Sequence, residues 1–120
     1  MPTLKRASTR KIKRMFSGSE SARNEIYATS RWRKLRSGYI MQHPLCEICL
    51  LDGRVVPSED VHHKDSFMNY DGLQRLGKAY DTDNLVALCK RCHAALHKSG
   101  RTHGLDLEGL AEIINQNKTT

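Results

Sequence analysis

The chain has 120 residues, of which 38% are hydrophobic and 6% aromatic. A chain of this length forms one domain with a modest apolar core, so a bound metal would add stability that the core alone does not supply. It has no apolar run long enough to span a membrane, and its N-terminus lacks the apolar segment of a signal peptide. We therefore predict a cytoplasmic protein without a membrane partner, whose four cysteines stay reduced.

The net charge of +7 is concentrated near the N-terminus. Residues 1–36 contain eleven lysines and arginines against two glutamates, whereas the rest of the chain is slightly acidic. Such a basic segment indicates a polyanionic partner, most simply nucleic acid, although a solubilising tail would have the same composition. Residues 1–24 show no hydrophobic periodicity, and we predict that they form a basic disordered arm.

A basic helix is predicted after this arm. Ser30 is suited to N-cap a helix over residues 31–42, in which apolar residues recur at helical spacing. Trp32 is the predicted anchor of this helix in the core. The opposite face carries four cations, Arg31, Arg33, Lys34 and Arg36.

Two short strands and a helix are predicted in the second half of the chain. The strands are Glu59–His63 and the apolar run Leu85–Leu88, and a helix over Lys90–Lys98 follows them. The polar segment 64–83 is predicted to be a loop, and a loop of this length in so small a domain usually has a function. Residues 105–114 are weakly amphipathic and predict a peripheral helix.

The four cysteines form two C-x-x-C pairs, Cys46/Cys49 and Cys89/Cys92, with a long insertion between them. Each C-x-x-C turn presents two sulfurs, and four thiolates complete the tetrahedral coordination of a structural zinc ion. Such a site has no open coordination position, so we assign it no chemistry. Free buried thiols and a different metal are the alternatives.

Histidines form a second group around the predicted strands. His62 and His63 end the first strand, and Asn84 immediately precedes the second. His93 and His97 are four residues apart, so they share one face of the following helix. The four histidines therefore converge from two elements and predict a second, reactive metal site.

The motifs Val61-His62-His63, Asp83-Asn84-Leu85 and Leu88-Cys89-x-x-Cys92-His93-x-x-x-His97 together resemble the HNH endonuclease family. The nine-residue step from Asn84 to His93 also matches that family. The resemblance implies an α+β fold, a small ββα-metal (His-Me finger) domain with a four-cysteine zinc knuckle and a preceding basic helix. We expect this domain over residues 25–100, and a C-terminal tail with a short helix over 101–120.

The resemblance also implies roles for individual residues. His63 would be the general base that activates water, and Asn84 would hold that base in orientation. His62, His93 and His97 would bind the catalytic divalent ion, for which Mg²⁺, Mn²⁺, Ni²⁺, Co²⁺ and Zn²⁺ all stay open. Imidazole suits the role of the base because its pKa lies near neutrality.

The implied function is metal-dependent hydrolysis of DNA phosphodiester bonds, by nicking or cleavage, with RNA open as an alternative substrate. Small phage proteins of this kind can work beside the terminase, so terminase subunits are implied partners and phage DNA packaging or processing an implied role. A non-catalytic, zinc-stabilised nucleic-acid-binding module is the alternative function. The sequence leaves the oligomeric state open. The residues predicted to contact DNA are Arg31, Arg33, Lys34, Arg36, Lys90 and Arg91.

Overall fold

The computed structural model describes residues 13, 15–18, 20–99 and 107–118. Its elements are α1 (Glu20–Tyr27), α2 (Ser30–Gln42), α3 (Glu47–Leu51), β1 (Asp60–His63), α4 (Gly72–Ala79), β2 (Leu85–Leu88), α5 (Lys90–Ser99) and α6 (Leu107–Lys118). Two short 3₁₀ turns, Phe67–Asn69 and Thr82–Asn84, lie on either side of α4. Within the described ranges, no helix is both long and apolar enough to cross a membrane.

Strands β1 and β2 form an antiparallel pair, in which His62 lies opposite Val86 and His63 opposite Leu85. All of β2 is buried, whereas β1 is half-buried until His63. Successive side chains of a strand point to opposite faces, so His62 and His63 lie on different faces of the strand pair. Helix α5 packs on the His62 side and α2 on the His63 side, as the ring contacts His62–His93 and Trp32–His63 show.

The four cysteines are buried in one core cluster with side chains from α3, β2, α5 and α6. A sharp turn after α3 lets the chain return past the first cysteine pair: Arg54 N donates to Cys49 O, and Gly53 has a φ of 71°. Glycine adopts this left-handed conformation without the steric cost that other residues incur. Cys46 N then donates to Val56 O, which brings the extended return segment alongside the knuckle.

Helix α6 is part of the core and not peripheral. Its Leu110, Ala111 and Ile114 are buried against the cysteine cluster. The predicted helix over 105–114 therefore exists, but it begins at Leu107 in the described residues, runs further to Lys118, and has a packing role that its weak amphipathicity did not indicate. The predicted domain boundary at residue 100 stays a prediction, because residues 100–106 lie outside the described ones.

Segment 64–83 is largely helical, so its prediction as a loop is wrong. Helix α4 carries Arg75, whose side chain is fully buried although it is charged. The guanidinium donates to the backbone carbonyls of Met15, Ser17 and Tyr70. Three carbonyl acceptors stabilise the buried charge, and they attach the segment before α1 to α4.

Two predictions for the N-terminal part need correction. Residues 20–24, predicted as disordered, begin α1, and Ile26 of this helix is buried with Met15, Phe67 and Ala79. The N-cap of α2 is Thr29 and not Ser30, because Thr29 Oγ1 accepts from Trp32 N at 3.2 Å. The rest of the predicted arm lies mostly outside the described residues.

Candidate active site

The four cysteine thiols meet in one place. Their sulfur atoms all lie within 4.8 Å of one another, and none is in a disulfide. Cys49 Sγ is 3.9 Å from Cys89 Sγ and 3.7 Å from Cys92 Sγ. A tetrahedral zinc site with bonds of about 2.3 Å has sulfur–sulfur distances of roughly 3.8 Å. The thiols are therefore arranged so that they could hold a tetrahedrally coordinated ion.

The electrostatic environment of these cysteines favours a thiolate at one position. Burial by itself raises the pKa of the Cys46 thiol. Hydrogen bonds to its sulfur from the backbones of Cys49 and Cys89, and from the thiols of Cys49 and Cys92, outweigh burial and lower the pKa overall. Because a metal binds the thiolate and not the thiol, this environment favours the metal-binding form of Cys46, whereas burial raises the pKa of Cys49.

His62, His93 and His97 face one another between β1 and α5. His93 Nε2 lies 3.0 Å from His97 Nε2. The ring centroid of His62 lies 5.6 Å from that of His93 and 6.4 Å from that of His97. Two nitrogens that bind one ion at right angles, with bonds of about 2.1 Å, are roughly 3.0 Å apart. The His93 and His97 nitrogens thus lie at hydrogen-bond distance, which is also the separation of two ligands that bind one ion at right angles.

His62 supplies an independent indication of a metal. Its Nε2 atom is buried and, among the described residues, has no hydrogen-bond partner. A buried polar atom without a partner is costly, and coordination to a metal would remove that cost. Burial, and then the neighbouring histidines His93, His63 and His97, lower the pKa of His62 to about 4. The ring is therefore neutral at neutral pH, which is the form that binds metal ions.

His63 lies on the opposite face of the strand, in an aromatic slot. It is 6% exposed, and the rings of Trp32 and Phe67 lie against it with centroids 4.9 Å away in each case. Its Nε2 is 2.9 Å from Ala79 O, so this nitrogen donates to the carbonyl and Nδ1 is left as the acceptor. Burial lowers the pKa of His63, and the hydrogen bond to Ala79 opposes that effect. A neutral imidazole with a free Nδ1 can accept a proton.

Asn84 acts on the segment 64–79 and not on the His63 ring itself. Its Oδ1 accepts from Asp65 N at 2.9 Å, and its Nδ2 donates to Asp65 O at 2.8 Å and to Lys78 O at 3.1 Å. These bonds join the beginning of the segment to the end of α4. Ala79, which holds His63, follows Lys78 directly. Asn84 O also accepts from Lys64 N at 2.7 Å, so Asn84 can orient His63 through the backbone that directly follows it as well as through the end of α4.

A cleft of about 530 Å³ brings these groups to one surface. It exposes the three converging histidines and His63 together, although they come from opposite faces of β1. Two arginines also line it, Arg36 and Arg23. Arg36 was predicted to bind DNA, and its Nη2 is held by Glu59 O at 2.9 Å.

The remaining residues predicted to bind DNA do not line the cleft. Arg33, Lys34 and Arg91 are exposed to solvent. Two others have partners within the protein. The Arg31 guanidinium lies 4.2 Å from the centre of the Tyr80 ring, and Lys90 Nζ lies 3.6 Å from Asp60 Oδ1. These cations can contribute to the field of the surface, but the structure does not place them beside the histidines.

Arg23 and Asp60 line the cleft but are not among the site residues that the sequence predicts. Arg23 belongs to a segment that was interpreted as disordered, and nothing in its surroundings marks it. Asp60 contacts His93 Nδ1 through Oδ2 at 3.0 Å. A signal for Asp60 did exist, because strand alternation places it on the same face as His62, two residues later.

An antiparallel strand pair followed by a helix, with histidines at the end of the first strand and on the helix, defines a ββα-metal domain. Residues 46–99 match the model of the HNH endonuclease family. The resemblance predicted from the sequence is thereby confirmed for this part of the chain, as is the predicted α+β fold class.

The chain is also similar to the manganese-bound crystal structure of the HNH endonuclease of the deep-sea thermophilic bacteriophage GVE2. The TM-score is 0.60 and the sequence identity 23%, over 76% of this chain and 89% of that one. No curated protein sequence matches the chain. The family match supports a nuclease function, and the structural similarity supports the fold.

Proposed function

We propose that this protein is a metal-dependent HNH endonuclease that hydrolyses phosphodiester bonds of DNA. The observation that carries the proposal is the position of His63. Its Nε2–H is committed to Ala79 O at 2.9 Å, and it shares one cleft with the converging His62, His93 and His97. His63 and three histidines that could bind a metal therefore line the same cleft, which supports a site for phosphodiester hydrolysis.

His63 would act as the general base. Water attacks the phosphorus atom, and the proton that it loses goes to His63 Nδ1. The bond between phosphorus and the 3′ oxygen breaks, and the leaving oxygen takes a proton from solvent. When a divalent ion is bound by His62, His93 and His97, it supplies stabilisation of the charge that develops on the phosphate and the leaving oxygen. Trp32 and Phe67 exclude water from the sides of the base.

Charge in the cleft supports a nucleic-acid substrate. Arg23 and Arg36 line the same surface as the histidines, so they would bind phosphates next to the bond that is cut. Arg33, Lys34 and Arg91 are exposed, and with Arg31 and Lys90 they would attract more distant phosphates without selecting a sequence. The experiment below tests whether the substrate is DNA or RNA.

The two metal sites would differ in the ions that they prefer. We propose zinc in the four-cysteine knuckle, because four buried thiolates at these spacings suit a structural zinc ion. For the histidine site we propose manganese, nickel, cobalt or zinc ahead of magnesium, which prefers oxygen ligands. The manganese ion of the GVE2 enzyme supports this order.

The phage origin of that relative also supports a finer proposal, that the protein works in phage DNA packaging or processing beside terminase subunits.

The test is a plasmid-nicking assay with the full-length protein. The protein is stripped of loosely bound metal with a mild chelator, and each divalent ion is added back separately. We expect nicking with at least one of the transition metals, and loss of nicking in His63→Ala. His43→Gln is the matched control, because His43 stacks on Tyr39 in a different part of the molecule and should leave activity intact.

Two results would contradict the proposal. If His63→Ala is folded, binds metal and still nicks DNA at the wild-type rate, the assigned base is wrong. If no metal supports cleavage of duplex DNA, single-stranded DNA or RNA while DNA is still bound, the protein is the non-catalytic binding module. Cleavage of RNA alone would correct the substrate and keep the mechanism.

A further inference from the structure

Asp60, at the start of β1, connects the strand to helix α5 through two contacts. Its Oδ2 lies 3.0 Å from His93 Nδ1, and its Oδ1 lies 3.6 Å from Lys90 Nζ. The carboxylate is largely shielded, with 22% of the side chain exposed, and it lines the cleft beside His62. Neither the metal-ligand set nor the assignment of the base uses this residue.

The contact with His93 determines which nitrogen of that ring carries the proton. A carboxylate can only accept, so His93 Nδ1 must donate to Asp60 Oδ2. In the neutral ring the remaining nitrogen, Nε2, then carries the lone pair. That same Nε2 is the atom that lies 3.0 Å from His97 Nε2. The bond to Asp60 therefore leaves His93 in the tautomer, and in the orientation, that a metal ligand requires.

We propose that Asp60 is a positioning residue for the metal centre, which holds His93 ready to bind the ion. The inference rests on the proposed function, because it assumes that His93 is a ligand. Both carboxylate oxygens already have partners within the protein, so direct coordination by Asp60 is the less favoured role. Lys90 Nζ, 3.6 Å from Asp60 Oδ1, adds a positive charge beside the carboxylate.

The distribution of roles along one strand supports this inference. Strand alternation directs Asp60 and His62 to the α5 side of β1, and His63 to the α2 side. One face of β1 would thus carry the ligand His62 and Asp60, which orients the second ligand, His93. The last residue of the strand, His63, would carry the base on the other face. A hydrogen-bonded carboxylate behind a metal-bound histidine raises the basicity of the ring and typically changes metal affinity 10–100-fold.

The experiment compares Asp60→Ala, Asp60→Asn and a control, Glu59→Gln, in the full-length protein with its cysteine site filled. Glu59 is a suitable control because its carboxylate contacts Lys90 N in the same helix but not His93. Binding of Mn²⁺ is measured by titration calorimetry. The tautomer of His93 is measured by ¹⁵N NMR before Mn²⁺ is added, and thermal melting reports whether each variant is folded.

We expect Asp60→Ala to weaken Mn²⁺ binding by about 10–100-fold. Asp60→Asn keeps an acceptor for Nδ1–H, so it should lose less affinity and retain the Nδ1–H tautomer. Glu59→Gln should bind Mn²⁺ as the wild type does. The tautomer measurement separates positioning from a general structural effect, because a looser fold by itself would not transfer the proton of His93 to Nε2.

The inference alone is overturned if the wild type binds Mn²⁺ and Asp60→Ala binds it equally well. It is also overturned if His93 keeps the Nδ1–H tautomer in Asp60→Ala, or if Asp60→Asn loses the tautomer. If Asp60→Ala does not fold, Asp60→Asn tests the inference: retention of the Nδ1–H tautomer of His93 supports it, and loss of that tautomer overturns it. Failure of the wild type to bind Mn²⁺ at its histidines would overturn both this inference and the proposed metal centre.

Discussion

Trp32 and His63 are stacked, with ring centroids 4.9 Å apart and ring planes inclined by 25°. The indole belongs to α2 and the imidazole to β1, so the contact joins the basic helix to the strand that carries the proposed base. Trp32 is 5% exposed, and Phe67 meets His63 from another direction, edge-on. His63 is thus held by packing as well as by its hydrogen bond to Ala79 O.

Replacing Trp32 should impair both stability and catalysis. Trp32→Ala removes a buried aromatic ring, and we expect a loss of about 3–5 kcal/mol in the free energy of unfolding. Trp32→Phe keeps part of the stack and should fold, but a slightly displaced base can lower kcat by up to about 100-fold. Chemical denaturation and single-turnover nicking measure the two effects. Wild-type kcat in both variants would show that the stack does not position His63.

The pH dependence of cleavage should report the titration of His63. Burial lowers its pKa, so the proton that blocks the base is lost at a lower pH than in an ordinary histidine. We expect kcat to rise with pH and to level off with a midpoint below about 6.5. His63→Ala should lower kcat by about 10²–10⁴-fold and remove this limb. The midpoint is measured at saturating metal, and a midpoint above 6.5 would contradict the desolvated environment of the base.

The protein without metal at its histidines should lose stability in mild acid because of His62. The pKa of His62 is lowered to about 4, below the value of the unfolded chain. A group with a lowered pKa stabilises the fold above the unfolded pKa, and this contribution is lost as the pH falls from about 6.5 toward 4. The expected loss is on the order of 2 kcal/mol.

Denaturation curves at a series of pH values, without added divalent metal, measure this loss. His62→Gln is the comparison variant, because it lacks the titrating ring while the four cysteines are unchanged. Its stability should depend less steeply on pH in the same interval. Equal slopes in the two proteins would show that His62 is not the group responsible.

The four-cysteine knuckle should be required for folding. Cys92 is fully buried in the core cluster that also contains side chains of α6, so Cys92→Ser replaces one of the four clustered thiols at a buried position. The free energy of binding at structural zinc sites is on the order of 10 kcal/mol, which exceeds the stability of most small domains. We expect Cys92→Ser to be unfolded by circular dichroism, and metal analysis of the wild type to find tightly held zinc. A folded wild-type protein free of zinc would contradict this prediction.

Arg23 should contribute to DNA binding although the sequence did not mark it. It lines the cleft with the histidines, so its removal should lose one phosphate contact. Arg23→Ala should weaken binding to all DNA sequences alike and reduce the slope of log affinity against log salt by about one. Fluorescence anisotropy over a range of salt concentrations measures both quantities. Arg54→Ala, in the exposed turn after α3, is the control and should change the slope less.

Local sequence patterns predict the strands and two of the helices around the site. The alternation and the apolar run predict β1 and β2, which are confirmed to within one residue, and helical spacing predicts α2 and α5. The C-x-x-C pairs and the His93–His97 step also follow from local geometry, since four residues span one helical turn. Elements whose stability depends on distant partners were not recognised. The sequence predicts a loop where α4 lies and a peripheral position for α6, because the buried faces of both helices contact segments far away in the chain.

The sequence by itself determined which side chains share a strand face or a helix face, and therefore which residues resemble the HNH family. Only the tertiary structure decided which groups meet between elements. Ala79 O holds His63, Asp60 holds His93, and Asn84 joins Asp65 to Lys78. These partners are separated in sequence and are chosen by how α4 and α5 pack against the hairpin. The spacing of residues along the chain does not indicate how helices pack against the strands. The hydrogen bonds that hold the site residues could therefore be identified only in the folded protein.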